Sequence, residues 1–214
     1  VLVPGSTLVT GRSHNRCVLG PTLKAQQSER TKAALVAAGR QLFARLGYAG
    51  VSAEEVAAAA GVTTGAVYHQ FGSKRGLFLA VFEAVEAELP VQIGAAAAAE
   101  TEPWSGFVAA ASAFVASATQ PDIRQVVLID GRSVLGWDEW HEVMTRYGLG
   151  MTRTVVTQLL EADLIAAAPI EPLTAAIFGA LSEMALFVAT AADPGPAAAE
   201  SGLALTAFLN ALRR

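Results

Sequence analysis

From about residue 28 onward, Ala, Leu, Val and Phe recur three and four positions apart, and no run alternates apolar with polar residues or gathers β-branched ones. That period is helical, so the chain is predicted to be all-α. The first helix is expected over 29–46, with Leu35, Ala38, Leu42, Phe43 and Leu46 on one stripe and Gly47 as a left-handed C-terminal cap. A second helix follows at once. Ser52 and Glu55 form an S-x-x-E capping box ahead of Val56 and Ala57, and Gly61 ends the segment. Thr63 is placed to cap a short third helix through Gln70, whose Val67, with Phe71 just beyond its end, lies four residues apart on the inward face. After Gly72-Ser73 a long helix runs from Lys74 towards Pro90. Further helices are expected at 103–118, 122–130, 137–160, 172–192 and 196–212, each bounded by Pro, Gly or a polar turn. The alanine run 95–99 reads as a helix end or connection, and no internal repeat is evident.

Two short helices meeting across a tight turn constrain what the second can do. A helix enters the DNA major groove only if its outward side lacks bulk and its other side is anchored. In G-V-T-T-G-A-V-Y-H-Q-F (61–71) small residues lead: Thr63, Thr64, Gly65 and Ala66 allow close approach to base edges, and the unpaired amides of the first turn favour phosphate. Val62, Val67 and Phe71 supply the anchor. Tyr68 and His69 are then free to face the DNA backbone, Gln70 and Thr64 to read sequence, and Lys74 to supply a cation on the same phosphate row.

Charge sharpens this picture. The formal net charge of −4 argues against nucleic acid only as an average. Residues 1–80 carry nine Lys/Arg against three acids, a net +6, and the remaining six Lys/Arg against sixteen acids give −10. A basic module joined to an acidic one fits a protein that meets phosphate at one end only.

The stretch 31–78 resembles the DNA-binding domain of TetR/AcrR transcriptional regulators. The likeness rests on L-F-A-R-L-G-Y (42–48), V-S-A-E-E-V-A-A-A-A-G-V (51–62), T-T-G-A-V-Y-H-Q-F (63–71) and S-K-R-G-L-F (73–78), in order and at that family's spacing. The resemblance implies DNA contacts at Ser52, Thr63, Thr64, Gly65, Tyr68, His69 and Lys74. Gln70 departs from the His or Tyr common there. The implied division is a flexible arm over 1–28, a helix-turn-helix domain over 29–78 and a helical ligand-binding and dimerisation domain over 79–214. D-G-R-S-V-L-G-W-D-E-W-H-E-V-M-T-R-Y-G-L-G (130–150) is similar to one subgroup of such C-terminal domains, whose ligands do not transfer by resemblance.

The C-terminal part is rich in apolar residues: 53% of the whole chain is hydrophobic and only 16% charged, which leaves apolar area for an interface or a cavity. Candidate pocket residues are Phe82, Trp104, Phe107, Phe114, Arg132, Trp137, Trp140, His141, Met144, Tyr147, Phe178 and Glu183, with core packing as the alternative role for the aromatic ones. The last two helices are expected to pair with their two-fold mates through Ala176, Ile177, Gly179, Ala180, Leu186, Phe187, Leu205 and Phe208. The partners anticipated are a double-stranded DNA operator, a small effector and a second copy of the chain.

Other classes find little support. The sequence has no G-x-S-x-G, no G-x-x-x-x-G-K-[ST], no H-E-x-x-H and no spaced Cys/His cluster, so neither enzyme chemistry, a cofactor nor a metal is expected. A helical dimer of structural or enzymatic role is the alternative, but it leaves the basic N-terminal module unexplained. Cys17 is the single cysteine and excludes an internal disulfide. Residues 1–14 lack the pattern of a secretory signal, and the apolar stretch 173–192 carries Glu183 near its middle, where a charge costs roughly 2.5–3.5 kcal/mol on insertion scales. A cytoplasmic protein with no membrane span is expected.

Overall fold

The computed structural model describes residues 23–214, and among them it is all-α, with one isolated antiparallel bridge between Ile165 and Arg213. The helices are α1 (Leu23–Leu46), α2 (Ala53–Ala59), α3 (Thr64–Phe71), α4 (Lys74–Ala98), α5 (Pro103–Ser117), α6 (Gly131–Met144), α7 (Gly150–Glu161), α8 (Ile170–Thr190) and α9 (Pro194–Asn210), with π-helical segments at Ile123–Asp130 and Thr145–Leu149. Residues 1–22 of the expected arm lie outside the described residues. Its last part is corrected: residues 23–28 are the first turns of α1. Gly47 ends α1 at φ 72°, as its position predicted.

Three expectations for the C-terminal helices also change. Pro90 does not end α4, which continues to Ala98, since proline removes one ladder bond without forbidding the helix on either side. The segment 122–130 is a π-helix capped by Asp122. The single helix expected over 137–160 starts earlier and is divided: Gly136, at φ 75° and ψ 177°, breaks α6, and the π-helical turn at Thr145–Leu149 separates α6 from α7. Leu46 is exposed instead of joining the α1 stripe.

Burial explains how the parts are joined. One core runs along the whole of α4. Phe78, Val81 and Phe82 meet Leu35 and Phe43 of α1, Val56 of α2 and Val67 of α3, while Val85, Leu89 and Ile93 carry the same core on to Ile123, Val126, Leu135 and Met144. Phe43, Tyr48 and Phe78 form an aromatic triangle with ring centroids 5.2–5.9 Å apart. A second core gathers Trp104, Phe107 and Val115 of α5, Val156 and Leu159 of α7, Ile177, Leu181 and Val188 of α8, and Leu205 and Leu209 of α9. Helix α8 is long and apolar enough to cross a membrane by length and composition, yet its stripe of Thr174, Ile177, Leu181, Ala185 and Val188 is buried inside the protein.

Polar ties reinforce the junction. Arg40 of α1 donates to Asp122 at 2.7 Å and to Glu88 of α4 at 2.8 Å, and Asp130 accepts the Tyr48 amide at 2.7 Å. Because the N-terminal helices share their core with α4, they should not melt separately. Phe78→Ala is expected to remove about 3–5 kcal/mol of stability. Far-UV dichroism and tryptophan fluorescence, whose reporters all lie at 104, 137 and 140, should move together at the lowered midpoint.

Candidate nucleic-acid interface and effector cavity

The second helix begins as its sequence requires. Ser52 Oγ accepts the Glu55 amide at 3.1 Å and the Ser52 amide donates to the Glu55 carboxylate at 2.7 Å, a complete capping box. The Ser52 amide and hydroxyl hold the Glu55 carboxyl below its ordinary range.

Helix α3 has two unlike sides. Val67 is fully buried, and Val62, Ala66 and Phe71 pack partly buried against the α4 core. On the other side Thr63, Gly65, Tyr68 and His69 are exposed, Tyr68 by 51%. Thr63 has the extended backbone of an N-cap, but its hydroxyl makes no capping bond, so the first-turn amides of α3 lack that partner. Thr64 is half-buried beside it. A methyl group added at Gly65 would meet only Thr63 Oγ1, at 3.8 Å. Packing within the protein therefore does not require glycine there.

Two residues expected to face outward are turned inward. Lys74 Nζ donates to the carbonyls of Tyr48 (3.0 Å) and Val51 (2.9 Å) and lies 4.0 Å from the Tyr48 ring centroid, tying the first turn of α4 to the α1–α2 loop. One of its three N–H groups is left over. Gln70 Nε2 donates to Ser28 Oγ at 2.9 Å, so its amide is directed at α1. The reason is the same for both: helix α1 and its loop lie close enough for a long polar side chain to satisfy a local acceptor.

Next to Lys74, Arg75 reaches the other module. Its guanidinium donates to the carbonyls of Val134 (3.1 Å) and Leu135 (2.5 Å), at the break in α6 beside Gly136, and pairs with Glu139. Helix α6 also walls a cavity of about 190 Å³ lined by α4, α5, α7, α8 and the two π-helical segments and open to solvent on one side. Of the candidate pocket residues, Phe107, Phe114, Arg132, Trp140, Met144, Phe178 and Glu183 line it. Five do not. Phe82 is fully buried in the α4 core, and Trp104 packs edge-on to Phe107 in the second core, with Arg213 against its ring. Tyr147 is partly buried against the first core. Trp137 is 54% exposed and stacks on His141 at 4.9 Å, because the Gly136 break turns this pair outward.

The lining includes a residue the sequence reading passed over. Glu86 is only 3% exposed, and burial alone pushes its carboxyl up to about 7. Its position was legible: it falls in phase with Phe82, Leu89 and Ile93 on the apolar stripe of α4, where an acid is out of place.

Two family models match the chain. The description "Bacterial regulatory proteins, tetR family" covers residues 35–81, and "Tetracyclin repressor-like, C-terminal domain" covers 104–212. The chain belongs to the TetR family. A TetR-family transcriptional regulator from Pectobacterium atrosepticum is 31% identical, with a TM-score of 0.79 over 88% of this chain and 96% of that one. The Tn10 TetC protein of Escherichia coli is 27% identical over 134 residues, 61% of this chain and 66% of TetC, slightly under two thirds of its length. RolR, solved in complex with resorcinol, shares the fold at 21% identity and a TM-score of 0.68, covering 88% of this chain and 90% of RolR. The chain is thus a TetR-family regulator by sequence and fold.

The expected partner face of this TetR-family chain needs correction. Ile177 and Leu205 are buried in the protomer's own core, Phe208 packs partly buried against it, and Leu186 lines the cavity. The helical period turns these positions inward. Ala176 and Phe187 of the expected set are exposed and Gly179 and Ala180 half-buried, along one outer stripe of α8. Leu203 of α9 is also exposed.

Glu86 also makes stability depend on pH. Its native carboxyl holds a proton up to about 7 against 4.5 ordinarily, so its contribution is intact below about pH 4.5 and is lost as pH rises through 7. Glu86→Gln lacks this loss. Its stability relative to the parent should rise between pH 5 and pH 8 by up to about 3 kcal/mol, read from urea midpoints at both pH values.

Proposed function

We propose that this protein is a cytoplasmic, homodimeric repressor that holds a near-palindromic operator through α3 and is released by a small, largely apolar effector bound in the cavity. The observation that carries the reading is the two-sidedness of α3: Val67 and Phe71 fixed inside, with Thr63 and Gly65 exposed at the helix N-terminus and Tyr68 and His69 exposed further along. In this role Thr63, Thr64, Gly65 and Ala66 approach the bases, and the α3 amides and Tyr68 meet phosphate. Ser52 approaches the backbone at the start of α2, and His69 faces it from α3. Lys74 contributes its remaining N–H to the phosphate row while bracing the turn, and Gln70 acts on base preference through the angle at which α1 holds α3.

Two such helices must reach successive major grooves roughly 34–36 Å apart, which calls for a dimer. The outer stripe of Ala176, Gly179, Ala180 and Phe187, with Leu203 alongside, supports pairing of α8 and α9 with their mates. Release requires the effector to prefer the DNA-free shape by about 10⁴-fold to move the population from 1:99 to 99:1. The route runs through α6. Arg132 and Trp140 line the cavity, and the α6 backbone accepts from Arg75 one residue after Lys74.

Purified protein mixed with random DNA duplexes should select one near-palindromic sequence. Equal retention of unselected duplexes would refute the reading. Gly65→Val should lower affinity for the selected site at least a hundredfold in a mobility-shift assay, because the added bulk faces only the groove. Its helical spectrum should stay unchanged, with stability altered by less than about 1 kcal/mol because glycine is the poorer helix former of the two. Phe187→Glu should give a monomer at micromolar concentration in sedimentation, and that monomer should bind a half-site only weakly.

A further inference from the structure

Glu86 is the one feature of the cavity that packing does not explain. Among the described residues its carboxyl has no hydrogen-bond or ion-pair partner, and the flanking Phe82, Val85, Leu89 and Ile93 are all apolar and buried. An acid held this way lowers stability unless something supplies the missing donor. The two hydroxyls of the lining, Ser182 and Thr152, make no hydrogen bond to it. Thr152 Oγ1 already gives its proton to the Gly148 carbonyl at 2.9 Å, so towards the cavity it can only accept. Pro90, also in the lining, has no N–H to offer the Glu86 carbonyl one turn earlier.

The charged groups around α4 are engaged elsewhere. Arg124 donates to the Ala189 carbonyl, Arg146 pairs with Glu83 and Glu142, and Arg40 pairs with Glu88 and Asp122. Asp130 accepts the Tyr48 amide, and α5 carries no charged residue. Arg132, the cation of the lining, lies 5.1 and 5.6 Å from the Trp137 and Trp140 ring centroids. The second acid is Glu183. The cavity therefore carries two acids against one base, with Ser182 and Thr152 as its hydroxyls, and is otherwise walled by Phe107, Phe114, Met144, Met151 and Phe178.

We propose that the effector is a compact organic cation: a primary or secondary amine on a hydrocarbon group of about one ring, with its ammonium donating to the Glu86 carboxylate. This rests on the reading of the cavity as the effector site. The size follows from the volume. A cavity of about 150 Å³ takes benzene, so one of about 190 Å³ takes a ring with a short polar arm. The charge follows from the missing donor. An ammonium brings three N–H groups and the opposite charge, whereas a carboxylate ligand would be placed beside two acids.

Titration calorimetry of the full chain and of Glu86→Gln with benzylamine, benzyl alcohol and phenylacetate tests this. Benzylamine should bind the unaltered chain at least tenfold more tightly than either other probe. Glu86→Gln should weaken the amine at least tenfold and alter the alcohol less than threefold. Since the amine stays protonated throughout, its affinity for the unaltered chain should rise about tenfold from pH 6 to pH 8 as Glu86 ionises. The alcohol's affinity should not. This pH series needs no variant. If the alcohol or phenylacetate binds as tightly as the amine, or the amine ignores both Glu86→Gln and pH, the cation assignment is overturned while the cavity stands as a binding site. If none of the three binds at millimolar concentration, the effector-site reading falls, and the inference with it.

Discussion

The structure depends on the hydrophobic stripe of a single helix. Along α4, Leu77, Phe78 and Val81 close the core of the three N-terminal helices, and Val85, Leu89 and Ile93 continue it into the C-terminal module, where Leu89 and Ile93 also line the cavity. Close-packed interiors transmit displacement instead of absorbing it. A helix bound into both modules this way cannot shift at one end without disturbing the other. The polar ties of Arg40, Lys74, Arg75 and Asp130 run across the same junction and set its angle.

That constraint relates the reading helix to the cavity. Helix α3 is held by Val67 on the α4 core, so its orientation is set by α4, and α4 also carries Glu86. The irregular elements lie where movement would be needed. The two π-helical segments and the Gly136 break border or adjoin the cavity, while α2 and α3 are regular α-helices and α2 starts with a complete capping box. Sites of backbone irregularity inside helices are commonly functional.

Much of this was legible in the residues. The capping box, the Gly47 terminus, the buried Val67 and the order of the first four helices follow from local rules that act within a few positions, and those rules hold whatever the rest of the chain does. The apolar richness of the second half foretold a cavity, and seven of the lining side chains were named from it. Glu86 carries no aromatic signal, and its phase on the α4 stripe is the one local mark of its burial. Phe82, Trp104 and Tyr147 take the core-packing role open to every aromatic of the set instead of the cavity, since ring size does not tell which wall a ring faces.

By itself, then, the sequence determined the helical class, the early helix boundaries, the two faces of α3 and the family. Each is written in periodicity, caps and small-residue spacing, which are short-range. Only the tertiary structure decided that Lys74 turns back onto the α1–α2 loop and Gln70 onto α1, that Ile177 and Leu205 belong to the protomer's own core, and that Arg75 grips the backbone of α6. Those outcomes depend on which acceptor or apolar surface a distant segment brings within about 3–4 Å of a side chain. No pattern local to the chain encodes that distance.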